Sequence, residues 1–136
     1  MTTYLLDSNI LIALAIQEHE HHAVASAWMV DVEHFALCPI VEGALVRFLV
    51  RLGESASTAV AVLKAIQALP TGEFWPDGLS YAEVDLRHVI GHRQVTDAYL
   101  LGLVRDRPAA RLATFDAGLA AVDPSLVTLL GAATVA

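Results

Sequence analysis

Basic side chains are scarce in this chain, with eight Lys and Arg against fifteen Asp and Glu and a formal net charge of −7. A protein that coats nucleic acid regardless of sequence draws its affinity from Lys and Arg at phosphates, so the balance argues against that class. It leaves room for an enzyme that gathers carboxylates around a metal. Cysteine is scarcer still, since Cys38 stands alone. An internal disulfide and a thiolate metal cage are therefore excluded, and Cys38 reads as a small buried hydrophobe. No apolar run reaches the roughly 18 residues of a membrane span, because Glu42, Arg47, Arg51 and Lys64 interrupt the best candidates. Met1 to Tyr4 carries no basic segment before the first apolar strand, so the expectation is a soluble, cytoplasmic protein without a secretory signal. Repeats and low-complexity linkers are also lacking, and 136 residues predict one domain over 1–136 that buries about two thirds of its unfolded surface.

What the chain has in excess is apolar side chains, at 56% of residues against a usual share of about 45–50%. Some apolar surface is left over for a partner. The segment Gly91 to Gly118 organises the rest. It predicts a helix opening at Thr96-Asp97 with Thr96 as N-cap, a stop at Pro108, and a strand from Arg111 to Phe115 that delivers Asp116. One acid thus sits at a helix N-terminus and another where a buried strand ends, the places where ligands collect in open α/β sheets.

The same arrangement occurs twice earlier. Tyr4 to Leu6 reads as a short strand followed by Asp7-Ser8-Asn9 and a helix from Ile10 to Ile16. Phe35 to Cys38 reads as a second strand, with Pro39 starting a helix from Ile40 to Leu52 and Glu42 in its first turn. Taken singly, these acids are helix caps or dipole partners. A further helix from Ser55 or Ser57 to Leu69 makes an αα-hairpin with the one before it. Phe74 to Gly78 reads as a short edge strand or a packed loop. Ser80 is expected to cap a helix through Val89, Ala117 to Val122 to form a helical turn, and Leu126 to Leu130 a last strand. Glu18-His19-Glu20-His21-His22 joins two helices, the second running from Ala23 to Val32, and reads as a solvated linker rather than a zinc site. The alternation predicts an α/β sheet with right-handed crossovers and helices on both faces.

Asp7, Glu42, Asp97 and Asp116 are all expected at one edge of that sheet. Four converging carboxylates repel one another unless cations neutralise them. A hard ion such as Mg²⁺ or Mn²⁺ binds one or two carboxylates, keeps several waters and leaves positions for phosphate oxygens. The chemistry that fits is phosphodiester hydrolysis.

LLDSN at the N-terminus, Glu42 behind Pro39, VTDAYLL and LATFD, in this order and with these gaps, resemble the PIN-domain nucleases and more closely the VapC toxins of bacterial toxin–antitoxin pairs. The resemblance implies a PIN-like three-layer α/β/α sandwich with a mainly parallel central sheet and a metal-dependent endoribonuclease. It also implies a homodimer held inactive by a cognate antitoxin. Asp7, Glu42, Asp97 and Asp116 match the family's metal-binding acids. Ser8 stands where threonine is frequent, and Asn9 matches the usual asparagine. To reconcile acidic charge with RNA, His92 and Arg93 are expected to hold phosphates, with Arg47 or Arg87 as further candidates. Trp28 and Trp75 are assigned to core packing. A phosphatase opening on Asp-x-Asp and a receiver domain with a late-strand lysine fit less well, since the chain has Asp7-Ser8-Asn9 and its sole lysine is Lys64. The non-enzymatic alternative is a metal-binding or protein-interaction module on the same fold.

Overall fold

The computed structural model describes residues 1–131; the last five of the expected 1–136 domain lie outside the described residues. Five parallel strands form one sheet in the order β3-β2-β1-β4-β5, where β1 is Thr3–Leu6, β2 His34–Leu37, β3 Gly72–Phe74, β4 Ala110–Thr114 and β5 Val127–Leu129. The central strands have no polar alternation because both faces of a parallel sheet are covered. Leu5, Leu6, Ala36, Leu112 and Ala113 are all fully buried.

The helices are α1 (Ser8–Ala15), α2 (His22–Val30), α3 (Pro39–Arg51), α4 (Ala56–Gln67), α5 (Val95–Arg105) and α6 (Ala117–Val122). From β1 the chain steps through β2 to β3 on one side; from β4 it steps to β5 on the other. Right-handed crossovers then put α1 to α4 on one face and α5 and α6 on the opposite face. Between β1 and β4 the direction of travel reverses. Side chains just past the carboxyl ends of these two neighbours face a natural crevice.

Helices α3 and α4 form the expected hairpin, and its corner has a clear cause. Gly53 takes φ 102°, its N–H bonds the carbonyl of Val50, and the N–H of Glu54 bonds that of Leu49. This paired closure needs a left-handed residue, which glycine supplies without a Cβ penalty. Of the Phe74 to Gly78 segment only Phe74 belongs to the edge strand β3; the rest is a packed loop, with Trp75 buried against the core and Arg107 stacked 4.3 Å over its ring.

Two expectations require correction. Ser80 does not start a helix to Val89: its hydroxyl accepts from the Ala82 N–H and closes only a 3-10 turn, Tyr81–Glu83, after which Val84 is extended. Leu79 and Val84 both lie against the side of Gly102 that lacks a Cβ, and Asp85 accepts from the backbone N–H of Arg87, which turns the chain again. Tertiary contact outweighs the cap. Thr96 is likewise inside α5 rather than capping it. A 3-10 turn at His92–Gln94 leads directly into α5, and the Gln94 side-chain oxygen takes the free N–H groups of Ile90 and Gly91.

Candidate active site

Asp7 follows β1 and caps α1. One carboxylate oxygen accepts from the Ser8 N–H at 2.7 Å, the other from the hydroxyl of Thr114 at 2.7 Å. Asp116 follows β4 and caps α6, taking the N–H groups of Gly118 at 2.8 Å and Leu119 at 3.2 Å on one oxygen. Asp97 lies in the first turn of α5. Because β1 and β4 are neighbours and α5 packs against β4, Asp97 comes between the other two acids, sharing one hollow with Asp7 and a second with Asp116.

Their charges interact. Asp97 is pushed up to about 6, first by burial and then by the negative charges of Asp7 and Asp116. Asp7 is also raised, chiefly by burial with Asp116 adding repulsion, while its bonds from Thr114 and Ser8 act in the opposite direction. None of the three ion pairs among the described residues, His21–Glu20, Arg87–Asp85 and Arg105–Asp123, includes Asp7, Asp97 or Asp116. Among the described residues these three carboxylates therefore repel one another without a direct ion pair to offset the repulsion.

Glu42 is not brought into this cluster. Its carboxylate accepts from the Gln67 amide at 2.8 Å and lines a separate hollow with Phe35 and Phe74. The reason is helical phase. Ile40, Gly43, Ala44 and Arg47 turn one side of α3 toward Asp7 and Asp97, and position 42 falls on the side facing α4. Among the described residues, no three acids, histidines or cysteines stand close enough to form a ready metal cage.

The supporting residues divide in the same way. Asn9 joins the ends of β1 and β4, donating to the Thr114 hydroxyl at 3.1 Å and accepting from the Phe115 N–H at 3.2 Å. Ser8 lines the cleft beside Asp7. His92 and Arg93 are exposed around a shallow hollow at 90–94 that none of the acids lines. Arg87 is committed to Asp85 through two side-chain bonds. Arg47 is the arginine lining the cleft with Asp7 and Asp97.

Sequence reasoning missed Thr114. It is fully buried, and its one hydroxyl donates to Asp7 while accepting from Asn9 and from the Asp116 N–H at 3.0 Å. A hydroxyl residue closing the apolar Leu112-Ala113 stretch of β4, two places before an acid, was the available signal. The histidines of the 18–22 linker have local partners: His22 meets the Ala13 carbonyl, and His21 stacks on Phe115 at 4.7 Å.

Comparison with known proteins gives a consistent picture. The family model of the PIN domain matches residues 4–124. The chain is 49% identical over 133 residues to Ribonuclease VapC29 of Mycobacterium tuberculosis, covering 97% of this chain and 99% of that protein. It is 38% identical over 128 residues to Ribonuclease VapC39 of the same organism, with 87% and 91% covered. Of solved structures, the M. tuberculosis toxin VapC20, described as cleaving the Sarcin-Ricin loop, superposes with a TM-score of 0.70 at 18% identity, covering 88% of this chain and 95% of that one. VapBC2 from Rickettsia felis, bound to a DNA fragment from its promoter, gives 0.64 at 13% identity, with 95% and 99% covered. These two likenesses speak to the fold alone.

Proposed function

We propose that RNA is hydrolysed at the Asp7, Asp97 and Asp116 cluster with the aid of Mg²⁺ or Mn²⁺, since the chain belongs to the PIN-domain family and to its VapC-type ribonuclease toxins. The observation that carries this reading is the position of Asp97 at the switch point of the sheet, half-buried between Asp7 and Asp116 and pushed up by the charge of both. A hard divalent ion suits such a site, because it needs only one or two direct carboxylates and fills its remaining positions with water and phosphate oxygens. Asp7 and Asp97, which share the cleft with Arg47, would hold it, with Asp116 beside them. When bound, the ion would activate water and stabilise the charge that develops on the phosphate.

The chain's own residues do the rest. Thr114 and the Ser8 N–H hold Asp7 in one orientation. The first turn of α6 holds one oxygen of Asp116. Arg47 would take a phosphate of the incoming strand. Glu42 stands outside this arrangement and is assigned to the α3–α4 contact through Gln67.

As a VapC-type toxin, the chain would be restrained by a cognate antitoxin and would work as a single-domain, cytoplasmic homodimer. Surface apolar residues supply material for these contacts: Val50 and Leu52 at the end of α3, and Val60 and Leu69 on and just beyond α4, are all exposed. No helix among the described residues is long and apolar enough to cross a membrane. The test is incubation of the purified chain with structured RNA and Mg²⁺ or Mn²⁺, with and without chelator, beside Asp7→Asn. Metal-dependent cleavage that vanishes in the variant supports the assignment; cleavage that survives both chelator and substitution defeats it.

A further inference from the structure

A second cavity of about 120 Å³ adjoins the acids on the side away from Arg47. It lies between α5, α6 and the segment that was expected to be helical before α5. Asp97 lines both this cavity and the Arg47 cleft, and Asp116 stands at its rim. Whatever occupies it is therefore in contact with the reacting centre.

The lining identifies the kind of occupant. Ala98, Leu101 and Leu119 give it a buried apolar floor. Two other rim groups are already engaged, Asp85 by Arg87 and Arg105 by Asp123. What the rim still offers is the exposed His88 imidazole and the amino end of the Gln94 amide, whose oxygen is held by backbone N–H groups. A phosphate would meet carboxylates and no uncommitted cation. A planar group with an apolar face and a hydrogen-bonding edge finds both its needs met. The size is well below the about 300–1,000 Å³ of pockets for drug-sized ligands, which suits a single ring system.

We propose that this cavity is a nucleobase subsite that receives one unstacked RNA base next to the cleaved bond, with His88 and Gln94 reading its edge. The inference rests on the ribonuclease reading for its biological sense. Sequence-selective RNA recognition generally works on splayed single-stranded bases, held by their faces and read along their edges. Here a sheet edge that is too acidic to attract RNA as a polyanion gains selectivity through a base rather than through phosphates.

Nucleosides without phosphate test the cavity directly, with no metal and no cleavage required. Backbone amide shifts are followed while adenosine, guanosine, cytidine or uridine is added, with ribose as the control. At least one nucleoside is expected to move the amides of Val89, Ala98 and Leu119, where ribose does not. Val89→Trp, which places a large side chain in the cavity from a surface segment, is expected to weaken that nucleoside at least about tenfold, roughly 1.4 kcal/mol. His88→Ala, at an exposed position, is expected to alter the ranking of the four bases. Identical shifts from ribose, shifts confined to the Arg47 cleft, or no response to any nucleoside would overturn the proposal. If nucleosides bind here and wild-type protein with Mg²⁺ or Mn²⁺ cleaves no RNA, the subsite stands and the nuclease assignment falls.

Discussion

At the scale of single residues, the three aspartates differ in what surrounds them, and each predicts its own outcome. Asp7 is the most buried and is oriented by Thr114, so Asp7→Asn keeps the shape and removes the charge that would hold metal. Cleavage is expected to fall by at least about a hundredfold, since the charge stabilisation a bound ion supplies is worth several kcal/mol. Glu42→Gln is expected to cost less than about tenfold, because the structure commits Glu42 to Gln67. Steady-state rates for the two variants at fixed Mg²⁺ compare them directly. Asp97 gives the pH prediction. Its folded carboxyl titrates near about 6 against an ordinary 3.8, so between those values the folded chain keeps a proton that the unfolded chain has released. Stability without metal therefore declines as pH rises through that window, and the whole penalty is present above it. Thermal melts of metal-free protein from about pH 4 to pH 7 should show this fall, and Asp97→Asn should flatten it.

At the scale of elements, β4 connects the site to the fold. Its last residue, Thr114, serves Asp7, Asn9 and the Asp116 backbone through one hydroxyl. Thr114→Val preserves shape and leaves those groups short of a partner. A loss of about 1–3 kcal/mol is expected in urea unfolding, the usual cost of stranding buried polar groups, together with reduced cleavage. Near its start, β4 carries Arg111, whose guanidinium donates to the Thr128 hydroxyl and to the carbonyls of Pro124, Ser125 and Val127. These bonds fasten the edge strand β5, which is only three residues long. Arg111→Met should lower stability by about 1–2 kcal/mol, less than a fully buried network because water reaches part of it. Amide exchange should quicken first at 127–129.

At the scale of the whole molecule, the acids trade folding stability for a charged site, and an ion should reverse that trade. Adding Mg²⁺ or Mn²⁺ near neutral pH is expected to raise the melting temperature of the wild-type chain by mass action. Asp7→Asn should respond far less, which calorimetry across a metal titration would show. The same scale explains how an acidic chain can act on RNA: selectivity is assigned to one cleft with one arginine and one adjoining cavity, instead of to a basic surface.

The sequence alone determined the alternation of strands and helices, the α3–α4 hairpin and the placement of Asp7, Asp97 and Asp116 at element ends, because apolar periodicity and capping chemistry are local properties. A match to a family pattern carried Glu42 with them. Only the tertiary structure decided that Glu42 turns away, since one step along a helix rotates a side chain by about 100° and the facing side is set by packing. It also decided that Thr114 ties the acids together, that the segment before α5 is not a helix, and that Arg47 rather than Arg93 lines the cleft. Each of these depends on which distant elements meet, and no local pattern in the chain encodes that meeting.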